Sequence, residues 1–263
     1  LRRGRADPEN HCAVNVALYG RAGKRWTMTE RSRASVARDV RHFRVGPSGL
    51  RWDGAALRID FDERGMPLPH RVRGSVIVHP AGLARFTAAL DDRGRHRWAP
   101  IAPCARVEVA LETPRVRWSG HAYLDSNEGD EPIDRAFTEW DWSRGGLSDG
   151  TTGVIYDVRQ REAEDRVLAL RFRGCGEAEP FAPPPRHSLP RTRWRIRRTM
   201  RSDEAVAPRV AKTLEDTPFY TRSVLASGLL GEHVVSMHET LDLRRLVSTA
   251  VQLMLPWRMP RVR

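Results

Sequence analysis

The stretch "RWSGHAYLDSNEGDEP", residues 117–132, decides how this chain is read. Taken with period two, it puts Trp118, Gly120, Ala122 and Leu124 on one face of an extended run, and Ser119, His121, Tyr123 and Asp125 on the other. The first face predicts packing. The second is either a solvated surface or the wall of a polar pocket, and the run is expected to stop in a polar turn at Asp125. The commonest role of an aspartate at a strand end is to cap a turn. Spacing alone therefore leaves Asp125 open between a cap and a pocket acid.

The same alternation recurs along the chain, in "GLRWDGAALRIDFDE", "RVRGSVIVHP", "CARVEVALE", "TGVIYDVRQ" and "DRVLALRFRG". Turn signals separate the runs, with Asp53-Gly54 and Asp149-Gly150 reading as tight hairpin turns. Helical periodicity is confined to "TERSRASVARDV", with Thr29 as its cap, and "DLRRLVSTAVQLML". The pattern predicts a mostly β protein with one or two short helices, built as barrels or sandwiches. A chain of 263 residues is long for one barrel. The expected division is therefore two β domains, 1–131 and 132–263, parted in the polar stretch "DSNEGDEPIDRA".

Composition narrows the function. Apolar residues make up 40% of the chain, which supports a packed core, and no apolar run reaches the ~18 residues of a membrane-spanning helix. The formal net charge is +12, and of the 45 basic residues only Lys24 and Lys212 are lysine. The arginines alternate with apolar residues in strands and form no basic helix or finger, so the surface predicts attraction to phosphate headgroups and no nucleic-acid partner. Cys12, Cys104 and Cys175 are too widely spaced for a disulfide framework or a Cys-x-x-Cys site, and reduced, mostly buried thiols are expected. The chain opens on Leu1 in "LRRGRAD" without methionine, so a truncated start is expected. No P-loop, dinucleotide fingerprint, Gly-x-Ser-x-Gly elbow or His-Glu-x-x-His is present, which removes the commonest nucleotide, hydrolase and metalloprotease chemistries.

One further segment bears on a site. "GRHRWAPIAPC" places His96 and Trp98 two apart, on one face if extended and exposed at a strand end. Should it neighbour residues 117–132, then His96, Trp98, Tyr123 and Asp125 would line one pocket. The plainer readings are that Trp98 packs, His96 bonds a carbonyl and Tyr123 is half-buried. "WDWSR", residues 140–144, sets Trp140 and Trp142 on one face and Asp141 on the other, with packing the default.

Several strings in order resemble the carotenoid 1,2-hydratase, or hydroxyneurosporene synthase, family: "ENHCAVNVALYG", "RWTMTER", "HRWAPIAPCARVEV", "WSGHAYLDSNEGDEP", "WDWSR", "LPRTRWR", "TLEDTPFYTRS" and "MLPWRMPR". They span nearly the whole chain. The resemblance implies two lipocalin-like domains and a hydro-lyase that needs no cofactor or metal. Such an enzyme adds water across the terminal C1–C2 double bond of an acyclic carotene such as neurosporene or lycopene. It implies that Asp125, in the Tyr-x-Asp motif with Tyr123, is the proton donor, and that the His-x-Trp pair is His96 and Trp98. Two features depart from the family pattern: Glu128 stands where relatives often carry an aromatic residue, and the segment before "HCAVNVALYG" is short.

The chemistry sets requirements. An isolated alkene offers no charge or lone pair to grip, so hydration starts with a proton at C2 and leaves a tertiary cation at C1, which water captures. Keeping an aspartic acid, ordinarily near pKa ~3.9, protonated at neutral pH needs a bias of about 4 kcal/mol against its charged form. Glu128, if close, would add to that bias. Trp98, Trp118 and Trp142 are candidates to present π faces to the cation, worth about 2 kcal/mol when desolvated. A long apolar substrate further predicts a cytoplasmic protein attached peripherally to a membrane. A lipocalin-like carrier of an apolar pigment is the alternative.

Overall fold

The computed structural model describes residues 7–20, 23–66 and 68–262. Strands dominate, as the alternation predicts. One sheet runs in the order Val116–Gly129, His96–Thr113, Arg71–Pro80, Leu57–Arg64, Ser48–Trp52, His42–Val45 and Val36–Arg38, with Ala88–Ala89 paired to Arg97 and Trp98. The second runs Ala178–Pro180, Arg166–Phe172, Thr152–Gln160, Phe137–Gly146, Glu232–Asp242, Tyr220–Leu229 and Arg209–Asp216. Neither order returns to its first strand, so among the described residues both sheets are open and no barrel closes.

Contacts divide the chain into two compact units. One holds Leu1–Pro80, Arg106–Ala122 and Leu253–Arg263, and the other Ala81–Ala105 and Tyr123–Gln252. The 1–131 and 132–263 division concerns which stretches fold alone, and it stays a proposal. The first unit is centred on Val45, Phe61, Val72 and Val78, all buried, and on an Arg31–Glu63 ion pair of 2.8 Å. Ser48 donates its hydroxyl to the same carboxylate at 2.5 Å.

The turns form as read. Asp53 Oδ1 accepts the backbone N–H groups of Ala55 and Ala56 at 2.8 and 2.7 Å, while Gly54 takes the positive φ of 106° that the turn requires. The helix expected from Thr29 does not form. Arg31 N–H donates to the Cys12 carbonyl at 2.8 Å, and its guanidinium is committed to Glu63, so the segment stays extended apart from one 3-10 turn, Arg33–Ser35. The second expected helix forms in two pieces, Leu243–Leu246 and Thr249–Arg258, the first capped by Asp242 through the Arg245 N–H. All three thiols are free; Cys104 is buried, Cys12 is half-buried and Cys175, against expectation, is exposed.

In the second unit the Phe137–Gly146 strand lies between Thr152–Gln160 and Glu232–Asp242, and its two faces differ in chemistry. Trp142 sits opposite Tyr156 on one side and Glu239 on the other, and Glu239 in turn opposite Arg222. Opposed residues share a face, so these four form one cross-strand row. On the reverse face Asp141 lies opposite Asp157 and Thr240. Two carboxylates directly opposed would repel. Arg159 bridges them at 3.1 and 3.2 Å, Arg186 and Arg201 each reach Asp157 at 2.8 Å, and Thr199 and Thr240 donate to Asp141 at 2.7 and 2.5 Å. This buried network is the rigid back of the sheet. Asp157→Ala would leave Arg186 and Arg201 without their carboxylate, while Arg159 keeps Asp141, and breaking a buried pair costs about 3–5 kcal/mol. Urea unfolding should show a loss of that size; a loss below ~1 kcal/mol would mean that the network carries little of the stability.

Candidate active site

Asp125 is not at the end of its strand. The strand runs Val116–Gly129, four residues past the acid, and the turn comes only at Asp130. The turn-cap role is thereby removed, and the side chain points into the second unit. There it lines a cavity of about 400 Å³ with Tyr123, Asn127, Trp140, Trp142, Arg144, Tyr156, Arg222, Met237 and Glu239. That volume lies at the small end of the ~300–1,000 Å³ typical of small-molecule sites, enough for one end of a long ligand.

Two donors meet the acid. Trp98 Nε1–H donates to Asp125 Oδ2 at 2.8 Å, and the Tyr123 hydroxyl donates to the same oxygen at 3.1 Å. Asp125 Oδ1 has no hydrogen-bond partner among the described residues. Trp98 does not line the cavity. It is fully buried behind the acid, its ring centroid 5.5 Å from Tyr156 and 6.1 Å from Phe172. The expectation that His96 and Trp98 are exposed at a strand end is overturned: they open the His96–Thr113 strand, and both are buried.

Electrostatics follow from this packing. Burial pushes the Asp125 carboxyl above the ordinary aspartate value. The bonds from Trp98 and Tyr123 oppose that rise, nearby Glu239 adds to it, and Arg144 opposes it. Burial and the neighbouring Asp125 push the Tyr123 phenol well up, and burial does the same to Tyr156, so both phenols are donors. Arg144 is pushed down by burial and lies over the Tyr123 ring, 5.3 Å from its centroid. Tyr156 donates its hydroxyl to Asn127 Oδ1 at 3.1 Å.

The remaining expected residues scatter. His96 is buried, with its backbone N–H on Asp91 Oδ1 at 2.7 Å and its ring 5.0 Å from Phe137. It lines an adjoining pocket of about 250 Å³, which shares Asn127 and Trp140 with the larger cavity. Its Nε2 is buried without a partner among the described residues. Trp142 lines the larger cavity, ring against Tyr123 at 5.5 Å. Trp118 belongs to the other unit and is 52% exposed, so its face is not the packed one expected. Glu128 is exposed and 3.8 Å from Arg97; the carboxylate that acts on Asp125 is Glu239. Sequence reading missed Asn127, Arg144, Tyr156, Arg222 and Met237 as cavity residues. The period-two pattern of "WDWSR" does place Arg144 with Trp140 and Trp142, but nothing local announces the cross-strand partners.

Fold and site together define a mostly β protein with a half-buried carboxyl group at the wall of an aromatic cavity. A crystal structure of a Nitrosomonas europaea protein assigned as AttH superposes with a TM-score of 0.62 over 86% of this chain and 79% of that one, at 13% identity, a likeness of fold alone. The profile of the family described as carotenoid hydratase CrtC matches residues 2–263. Proteins described as acyclic carotenoid 1,2-hydratase are 63% identical in Rubrivivax gelatinosus, over 98% of this chain and 63% of that one, and 54% identical in Thiocapsa roseopersicina, over 99% and 64%. One from Cereibacter sphaeroides is 38% identical over 98% of this chain and 92% of its own length. The chain thus spans less than two thirds of the first two relatives. It belongs to the CrtC carotenoid hydratase family.

The raised carboxyl makes stability pH-dependent. The native state keeps the Asp125 proton to a higher pH than the unfolded chain, whose value is near 3.8. The associated stability is fully present below that unfolded value and is lost as pH rises through the folded one. Asp125→Asn, neutral throughout, should therefore gain in melting temperature over the parent on going from about pH 4 to about pH 8. Parallel melting curves across that range would contradict the raised value.

Proposed function

We propose that this chain adds water across the terminal C1–C2 double bond of acyclic carotenes such as neurosporene and lycopene, without a cofactor, and that Asp125 supplies the proton. The observation that carries the reading is the pair of donors on a single carboxyl oxygen. Trp98 Nε1–H and Tyr123 O–H both occupy Oδ2. The acid's own proton therefore belongs on Oδ1, the oxygen left toward the cavity. Neutrality comes from burial. The two donors strengthen as charge develops on the departing carboxylate, so they lower the barrier without ionising the ground state.

The bond changes are simple. The alkene π electrons take the Asp125 proton at C2, the O–H bond breaks, and C1 becomes a tertiary cation. Trp142, Trp140 and Tyr156 present aromatic rings to the same space. Water closes on C1, and loss of its proton leaves the tertiary alcohol. Trp98 and Tyr123 act as positioning residues through Asp125. His96 lines the adjoining pocket, which shares Asn127 and Trp140 with the cavity. Asp125→Asn should lower alcohol formation from lycopene at least 100-fold, and the parent rate should fall as pH rises through the value at which Asp125 ionises. Trp98→Phe, which keeps the ring and loses the donor, should lie between parent and Trp98→Ala. Near-parent turnover by Asp125→Asn would remove it as the donor. A pigment carrier would instead return lycopene unchanged from every variant, the parent included.

A carotene is longer than the cavity is wide, so most of the rod stays in lipid. No helix among the described residues is long and apolar enough to cross a membrane. The Thr249–Arg258 helix, however, exposes Leu253, Met254 and Trp257 close to Arg258, the mixture of an interfacial helix. The protein should float with anionic liposomes at low salt, and Leu253→Ser with Trp257→Ser should weaken flotation. Failure of the parent to float would overturn membrane association.

A further inference from the structure

The cavity holds a second carboxyl group in a different setting. Glu239 lines it from the Glu232–Asp242 strand, opposite Trp142 and opposite Arg222. Both Arg222 contacts fall on one oxygen: Nε donates to Oε1 at 2.8 Å, and the terminal nitrogen lies 2.7 Å from that same Oε1. Glu239 Oε2 has no hydrogen-bond partner among the described residues. The two acids mirror each other. Each has one oxygen tied by two donor contacts and the other left over. The donors on Asp125 are neutral, whereas the donor on Glu239 is a guanidinium, which matches a charged carboxylate. One cavity thus carries two carboxyl groups, one met by neutral donors and the other by a guanidinium.

Resting on the hydratase reading above, we propose that Glu239 is the catalytic base that holds the attacking water and takes its proton. Asp125 Oδ1–H protonates C2 and the π bond breaks. The water oxygen forms its bond to C1 as its O–H bond breaks toward Glu239 Oε2. Asp125 is left as a carboxylate and Glu239 as an acid; exchange of one proton between them through solvent restores the start. Atoms and charges balance as alkene plus water giving alcohol. Arg222 holds the Glu239 carboxyl group in position. Separate groups for giving and taking the proton let water approach from a side other than the one the acid occupies, the logic of two-carboxylate hydrolysis.

A variant lacking the base should still make the cation and fail to trap it. Lycopene incubated in deuterated water reads this directly. With the parent, the alcohol carries deuterium and recovered lycopene stays unlabelled. With Glu239→Gln, alcohol formation should fall about 100-fold, while recovered lycopene gains deuterium at its ends because the cation reverts by losing a proton. Asp125→Asn should give neither alcohol nor label. Glu239→Asp, which keeps the charge, should restore part of the alcohol rate, and it serves as the readout if Glu239→Gln does not fold. Parent-like alcohol formation by Glu239→Gln, or by Glu239→Asp with parent-like labelling in that case, would overturn the assignment. So would a folded Glu239→Gln that loses alcohol and label together, because the residue would then support the acid instead. If the parent itself makes no alcohol, the hydratase reading fails, and that result is distinct from either of these.

Discussion

The site depends on partly withdrawing one carboxyl group from water while the donors that touch it, an indole and a phenol, carry no charge. Burial is the main push on Asp125 toward its neutral form, Glu239 adds to it, and the hydrogen bonds from Trp98 and Tyr123 and the charge of Arg144 partly offset it. An arginine in place of either donor would favour the charged form of the carboxyl group. Indole and phenol donors oppose the push of burial without bringing a charge, and both act on the same oxygen, Oδ2. Burial keeps the phenol protonated, so it stays a donor.

The second sheet makes this affordable by separating its polar business between two faces. On the reverse face, Asp141 and Asp157 are each satisfied by arginine and threonine, and the charges close locally. On the cavity face, aromatic rings from Trp140, Trp142 and Tyr156 surround a smaller polar set, Asp125, Arg144, Arg222 and Glu239. Strand alternation makes the separation possible: "WDWSR" sends its tryptophans and Arg144 one way and Asp141 the other. The cavity therefore sets π faces, the Arg222–Glu239 ion pair and the Asp125 carboxyl group around one space.

Much of this was legible before any coordinates. Alternation gave the β class, Asp-Gly pairs marked two hairpins, and the Tyr-x-Asp spacing put Tyr123 and Asp125 on one face. The failures are instructive. Ser126 to Gly129 looks like a turn by composition, yet it continues the strand, because pairing with the neighbouring strand outweighs weak local propensity. The segment after Thr29 looks helical by spacing, yet a buried ion pair between Arg31 and Glu63 holds it extended. Glu128 is next to the motif in sequence but faces Arg97, while Glu239, more than a hundred residues away, is the carboxylate beside the acid.

What the sequence determined by itself is the periodicity, and with it which side chains of one strand share a face, since backbone geometry makes that a local property. Family membership also followed from strings kept in order. What only the tertiary structure decided is which strands lie side by side and in what register. Trp142 meets Glu239 and Tyr156 because distant stretches pair, and Trp98 reaches Asp125 across 27 positions of chain. The raised pKa of Asp125 belongs with these, because desolvation is the sum of everything packed around the carboxyl and no single stretch of sequence contains it.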